Sequence, residues 1–183
     1  RDAIRSRGLV DVYKRQLQLS KPTDKLIVIN SASKSFNMTG WRIGWITHPE
    51  ELGPHIAKLV QITTTGVPEF LQNGLISALQ NYKLLTKEVR QNLKKSRDIM
   101  FQRLVEWKRV ECSVPEAAFY AFFKVKDIKD SLEFAKKLII DTNVGVAPGI
   151  AFGHSGEGHL RICFAAKQSF INEIMDRLEP ALN

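Results

Sequence analysis

One lysine of this 183-residue chain lies among side chains that suit covalent chemistry. Lys34 stands between Ser33 and Ser35, Ser31 precedes them, and Arg42 follows eight positions after the lysine. A lysine amine can attack a carbonyl carbon and form a covalent bond with it. Hydroxyl groups and a guanidinium are good partners for a phosphate dianion. The segment therefore predicts a site for a small molecule that carries both an aldehyde and a phosphate.

The flanking segments predict where this lysine lies. Leu26–Ile29 and Trp41–Ile46 are short apolar runs bounded by polar turns, a pattern typical of buried strands in an α/β sheet. Lys34 would then follow the end of a strand, where open α/β sheets bind their ligands. The alternative is a surface lysine in a loop rich in Ser, Asn and Gly. If the lysine is functional, pyridoxal phosphate would suit the site, because it has both the aldehyde and the phosphate that the site requires.

Charge and composition limit the classes of binding partner that we expect for this chain. The chain is 44% hydrophobic with a net charge of +8, and its basic residues are interleaved with acids, as in 87–98. Such interleaving is usual for a solvated helix face, and no aromatic platform for nucleic acid accompanies it. No apolar run of the sequence approaches membrane-spanning length, and we expect no signal peptide, because the charged start of the sequence is not followed by an apolar segment. We therefore expect neither nucleic acid nor a membrane as a partner.

The cysteines and histidines predict neither a disulfide framework nor a metal site. Cys112 and Cys163 stand in unrelated contexts, and the four histidines lack the spacing of metal ligands. Free cysteines are usual in a reducing compartment, so the expected location is the cytoplasm.

A longer pattern around the lysine carries a family resemblance. The segment resembles the lysine signature of the class I and II aminotransferases, which are aspartate-aminotransferase-like enzymes of the fold-type I pyridoxal-phosphate group. The positions in register are Ser31, Ser33, Lys34, Met38, Gly40, Arg42 and Gly44. The resemblance implies that Lys34 forms a Schiff base with pyridoxal phosphate and then acts as the catalytic base. It also implies that Ser31 and Arg42 bind the cofactor phosphate, with Ser33 in support.

A second signature lies near the C-terminus. Pro115–Tyr120, Val146–Gly153 and Gly158–Ala165 are similar to motifs of the aminotransferase C-terminal domain. By this resemblance Arg161 binds the α-carboxylate of the substrate, and a guanidinium fork suits a carboxylate bidentately. The alternative is an exposed strand arginine. The apolar residues of this region are expected to be mostly core, and composition alone gives no chemical role to the aromatic residues 119, 120, 122 and 123.

Four segments follow from these patterns. Residues 17–83 are expected to form part of the large, cofactor-binding domain, 84–107 a connecting helix, and 108–183 a small α+β C-terminal domain, giving an α/β fold overall. Residues 1–16 resemble a translated adapter or vector tail. Within them, Asp11 and Tyr13 have the wrong spacing for the family's pair of cofactor ligands.

Periodicity predicts the individual elements. Helices are expected from about 49 to 61, over 69–80, 84–107 and 131–142, and from 167 to 182. Strands are expected over 118–125, 144–147 and 159–164.

The resemblance implies a function and also implies that one group of the family's active site lies outside the matching residues. It predicts transfer of an amino group between an L-amino acid and a 2-oxo acid, by a homodimer in the full-length parent. It covers residues 17–183, and the family's carboxylate for the pyridine nitrogen lies upstream of the matching part. We therefore expect this C-terminal fragment to be inactive alone. The alternatives are a pyridoxal-phosphate-dependent C–S lyase on the same scaffold and a non-enzymatic ligand-sensing domain of a regulator.

Overall fold

A computed structural model describes Lys21 and residues 24–183 of the chain. The chain divides into two compact units, of which the first ends at Arg90 and the second is Gln91–Asn183. Within the described part, no helix combines the length and the apolar content that crossing a bilayer requires. The predicted tail at 1–16, with Asp11 and Tyr13, lies outside the described residues.

The first unit is a short hairpin followed by helices. Its elements are β1 Val28–Ser31, α1 Ala32–Ser35, β2 Gly44–Thr47, α2 Gly53–Thr63, α3 Glu69–Gln80 and the start of α4, Tyr82–Leu104. Strands β1 and β2 pair antiparallel, with Ser31 opposite Gly44. A small core of Ala32, Met38, Ile43, Leu75 and Ala78 joins the connection between the strands to α3.

The second unit packs helices on one face of a four-stranded sheet. Its further elements are β3 Val110–Glu111, β4 Tyr120–Val125, α5 Ser131–Thr142, β5 Ala147–Pro148, β6 His159–Cys163 and α6 Gln168–Leu182. The strand order is β3-β4-β6-β5 and every pairing is antiparallel. The fully buried side chains of its core include Met100, Leu104, Phe123, Leu138, Leu160, Phe164 and Met175.

Alternation along β4 fixes which side chains face this core. Ala121, Phe123 and Val125 are buried, whereas Phe122 is exposed and Tyr120 is half-buried. Successive side chains of a strand point to opposite faces of the sheet, so Tyr120 and Phe122 share the outer face. Tyr120 and Phe122 are therefore exceptions to the expectation that the apolar residues of this region are mostly core.

The two predicted strands around Lys34 need correction. Strand β2 begins only at Gly44, because Thr39–Trp41 forms a 3₁₀ turn and Arg42 has left-handed backbone angles (φ 51°, ψ 43°) that end any extended run. The strands are also not buried on both sides. Ile29 is 68% exposed and Ile46 is 42% exposed, because the described residues pack on only one face of the pair.

The helices agree with the periodicity more closely than the strands do. Helices α3 and α5 have the predicted bounds, 69–80 and 131–142. The strand predicted at 144–147 is in fact Ala147–Pro148, because only these two residues pair with β6. Val144 is buried in the core without joining a strand.

Candidate active site

Lys34 lies in a connection that is closed at its base. Residues 32–43 link β1 to β2, and the antiparallel partners Ser31 and Gly44 hold the two ends together. The Ala32 amide also donates a hydrogen bond of 3.1 Å to the Ile43 carbonyl. The residues predicted to bind a phosphate therefore belong to a single closed loop.

A serine cap begins the turn that carries the lysine. The Ser31 Oγ accepts a hydrogen bond of 3.2 Å from the Ser33 amide and caps α1, as short hydroxyl side chains commonly do at a helix start. Ser33 is buried, whereas Ser31 and Lys34 are exposed. Lys34 is thus an exposed residue of a turn that Ser31 caps and Ser33 anchors.

Arg42 is held in an unusual backbone conformation. A left-handed conformation is uncommon for a residue other than glycine and costs on the order of 1–3 kcal/mol. Its Nη1 donates a hydrogen bond of 3.0 Å to the Thr39 carbonyl, and the guanidinium is otherwise exposed. Strain at one residue is tolerated when the surrounding loop fixes it, and such residues concentrate at functional sites.

Two glycines permit close approaches around this loop. A Cβ at Gly44 would lie 2.3 Å from the Asn30 carbonyl oxygen, so the base of the hairpin has no room for a side chain. A Cβ at Gly74 of α3 would lie 2.3 Å from Cζ3 of Trp41. The indole next to Arg42 therefore rests directly on the backbone of α3.

Arg161 lies on the outer face of the sheet in the second unit. It is half-buried on β6, opposite Phe122 of β4. Its Cζ is 4.3 Å from the centroid of the Tyr120 ring and 4.1 Å from that of Phe152. The sequence predicts a role for the arginine but not these two ring contacts.

The loop that carries Phe152 is tied to α5. The Ile150 amide donates to Ser131 Oγ at 3.2 Å, and the Ser131 amide donates to Glu157 Oε1 at 2.6 Å. The Gly158 amide donates to the same carboxylate oxygen at 2.9 Å. Hydrogen bonds to Glu157 hold the pKa of its carboxyl below its ordinary value of 4.5. The bond from Gly158 has the largest effect, and those with Ser131 follow.

Most of the chain is similar to a known family. Residues 6–178 match the profile of the family described as Aminotransferase class I and II. The chain belongs to the class I and II aminotransferases. Its match includes most of the segment 1–16, and the assignment of that segment to a tail stays a prediction.

Individual aminotransferases show the same likeness. A "Probable N-acetyl-LL-diaminopimelate aminotransferase" of Bacillus subtilis (strain 168) is 35% identical over 157 residues, which is 85% of this chain and 40% of the relative. An "LL-diaminopimelate aminotransferase" of Natranaerobius thermophilus is 35% identical over 179 residues, which is 97% of this chain and 46% of the relative. The crystal structure of the aromatic aminotransferase from Pyrococcus horikoshii OT3 superposes with a TM-score of 0.79 at 31% identity, covering 85% of this chain and 42% of that one.

These comparisons confirm the fold class and the family. The neighbours are α/β enzymes of fold type I, and this chain corresponds to their C-terminal part. The chain spans less than half the length of the relatives it matches. The class I and II aminotransferases use pyridoxal phosphate, so the predicted cofactor is that of the family.

The donor set of the loop fits this cofactor. The exposed residue Lys34 has an amine suited to the aldehyde, and the guanidinium of the exposed Arg42 and the hydroxyl of Ser31 are suited to the phosphate. All three belong to the loop closed by the Ser31–Gly44 pair or to its base. Arg161, in contrast, belongs to the other unit and to a different sheet.

Tyr120 and Phe152 were missed for identifiable reasons. Apolar composition favours a core role for an aromatic residue, so the contact of Tyr120 with Arg161 was not predicted. The alternation of β4 contained a usable signal, because Tyr120 and Phe122 share the face opposite to Ala121 and Phe123. Phe152 had no such signal, since its contact with Arg161 depends on how the loop after β5 folds back.

Proposed function

We propose that the protein carrying this chain transfers an amino group between an L-amino acid and a 2-oxo acid, with pyridoxal phosphate held at Lys34. The observation that carries the proposal is the loop 32–43, closed at its base, in which Lys34 and Arg42 are both exposed. When bound, the cofactor supplies an electron sink for the carbanion that forms at the substrate Cα.

Each residue of the first unit has a distinct role in this proposal. The Lys34 Nζ would hold the cofactor through its aldehyde, and the neutral amine, when it is not bound to the cofactor, would accept the proton from the Cα of the amino acid. The Arg42 guanidinium neutralises the phosphate, which fixes the position of the cofactor relative to the lysine. Ser31 contributes a hydroxyl at the start of the same turn, and the buried Ser33 supports it.

Arg161 has the corresponding role for the substrate. A guanidinium binds a carboxylate with two parallel hydrogen bonds, so it orients the amino acid as well as attracting it. The half-buried position of Arg161 strengthens such a pair relative to one in open water.

The names of relatives indicate which donors to test first. Among them are LL-diaminopimelate, aspartate and aromatic-amino-acid aminotransferases. We propose these three kinds of amino acid as candidate donors for the protein that carries this chain. Homodimerisation of that protein and a cytoplasmic location stay predictions.

Selective labelling tests the cofactor site in residues 1–183. The chain is incubated with pyridoxal phosphate, reduced with borohydride and mapped by mass spectrometry. We expect label at Lys34 at concentrations that leave Lys58, an exposed lysine of α2, unlabelled. Arg42→Gln should remove this selectivity, because the phosphate loses its cationic partner. Equal labelling of both lysines in the unsubstituted chain would contradict the proposal.

Product analysis separates transfer from elimination. With the protein that carries this chain, transfer requires a 2-oxo acid as acceptor, whereas a C–S lyase releases pyruvate and ammonia from a cysteine conjugate without one. We expect the acceptor to be required. The predicted inactivity of residues 1–183 alone is checked in the same assay, with aspartate and 2-oxoglutarate as substrates.

A further inference from the structure

Arg161 differs from every other arginine of the second unit. Arg97, Arg103, Arg109 and Arg177 all donate hydrogen bonds to carboxylates or carbonyl oxygens of the chain. Within residues 24–183, the Arg161 guanidinium forms neither an ion pair nor a hydrogen bond. Its described side-chain partners are instead the Tyr120 and Phe152 rings. The side chain is therefore held without using any of its N–H donors.

The strand register explains the first of these ring contacts. Phe122 lies directly opposite Arg161, and Tyr120 lies two residues before Phe122 on the same face of β4. Diagonal neighbours on antiparallel strands are within reach of long and aromatic side chains. The Tyr120 contact is thus built into the pairing of β4 with β6.

The second ring comes from a loop that is itself fixed. Phe152 ends the 3₁₀ turn Gly149–Phe152, and its ring packs edge-on against Phe122 with centroids 5.9 Å apart. A Cβ at Gly149 would lie 1.9 Å from the Gly156 carbonyl oxygen, so the two ends of the loop are in tight contact. The loop therefore fixes where the Phe152 ring lies on the guanidinium.

A cation on an aromatic face is attracted by the ring quadrupole and loses rotational freedom, while its N–H edge stays available. We propose that Tyr120 and Phe152 are positioning residues that hold the Arg161 guanidinium, through ring contacts alone, with its donors available for the substrate carboxylate. This inference rests on the proposed function, since it takes Arg161 to be the carboxylate-binding residue. An arginine is normally oriented by a carboxylate, but such a carboxylate would compete with the substrate for its donors. Here the two rings orient the guanidinium instead.

Nuclear magnetic resonance on residues 1–183 tests this arrangement directly. The Nε–Hε signal of Arg161 is followed while pyruvate, which has a single carboxylate, is added. We expect an upfield ring shift of this signal before pyruvate is added, because the guanidinium lies over two rings. Phe152→Leu should reduce the ring shift and weaken pyruvate binding about fivefold, which corresponds to about 1 kcal/mol.

Matched variants separate positioning from general structure. Phe152→Tyr and Tyr120→Phe keep a ring and should bind pyruvate within about twofold of the unsubstituted chain, whereas Tyr120→Leu should resemble Phe152→Leu. Phe170→Leu removes an exposed phenylalanine of α6 from the same unit and should change nothing.

The outcomes distinguish this inference from the proposed function. If Arg161→Gln abolishes pyruvate binding but neither leucine variant at 120 and 152 weakens it, the carboxylate role stands and the positioning role is wrong. An Arg161 signal without a ring shift also overturns the positioning role. If pyruvate does not bind, or binds equally after Arg161→Gln, the carboxylate-binding role of Arg161 and the positioning role of the two rings are both wrong.

Discussion

Replacement of Gly149 by alanine should destabilise the second unit strongly. The added Cβ would lie 1.9 Å from the Gly156 carbonyl oxygen and 2.7 Å from that of His159. Both obstacles are backbone atoms, so no side-chain rotation can relieve the contact. An ordinary carbon–oxygen contact is about 3.3–3.6 Å, and the loop would therefore have to open by more than about 1 Å.

The size of the effect follows from two opposing contributions. Inserting a methyl group into a packed site typically costs about 1–3 kcal/mol, and contact with backbone on two sides places Gly149 at the upper end of that range. Alanine gains about 0.4–1 kcal/mol because it restricts the unfolded chain. We therefore expect a net loss of about 2–3 kcal/mol, which lowers the melting temperature of a unit of this size by roughly 10–20 °C.

Gly145→Ala is the matched control. Gly145 is exposed in the connection between α5 and β5, just before the strand that Gly149 follows, and a Cβ there would meet only Ile139 Cδ1, at 3.9 Å. Its backbone does not require glycine, so the entropic gain should leave stability unchanged or raised by up to about 1 kcal/mol.

Thermal unfolding is followed by amide signals of the second unit, such as those of Phe123 and Leu160 in its core. These signals report this unit apart from the first. If Gly149→Ala lowers the unfolding free energy by less than about 1 kcal/mol relative to Gly145→Ala, the close approach of the loop ends is not as described. The Arg161 ring shift should fall in the same variant, because Phe152 belongs to that loop.

Three further changes give separate tests. The pKa of Glu157 is lowered by folding, so its contribution to stability is present above pH 4.5 and is lost as the pH falls through the lowered value. Glu157→Gln should abolish that loss in unfolding curves measured from pH 7 to pH 3. Asp130→Ala removes the Oδ1 acceptor that caps α5 and should cost about 1 kcal/mol in urea unfolding. Gly74→Ala gains about 1 kcal/mol of helix propensity but displaces the Trp41 indole, so stability should change little while indole fluorescence shifts to the red.

Helix bounds were predictable where local chemistry marks both ends. Pro68 precedes α3, and its fixed φ suits a helix start. Asp130 caps α5 through two backbone amides, and Asn143 ends it in a left-handed conformation. These residue types have the preferences that the positions require, so the sequence alone predicted 69–80 and 131–142.

The strands around Lys34 were less predictable, because nonlocal geometry decides them. Arg42 is left-handed only because the hairpin closes around it, and no intrinsic preference of arginine indicates this. Exposure of Ile29 depends on which elements cover the sheet, which a local apolar pattern does not determine. The site residues were named by resemblance, whereas their restraints could be learned only from the fold.

Arg42 and Arg161 are restrained by different physical means. Arg42 depends on a strained backbone that a closed loop maintains, and the loop closes only because Gly44 leaves room for the Asn30 carbonyl. Arg161 lies on a regular strand and depends on aromatic contacts with its side chain. A side chain at Gly44 should therefore impair the proposed cofactor-binding loop, and loss of the Phe152 ring should impair the proposed carboxylate binding by Arg161. Because these causes are local to separate units, each function can be weakened while the other is left intact.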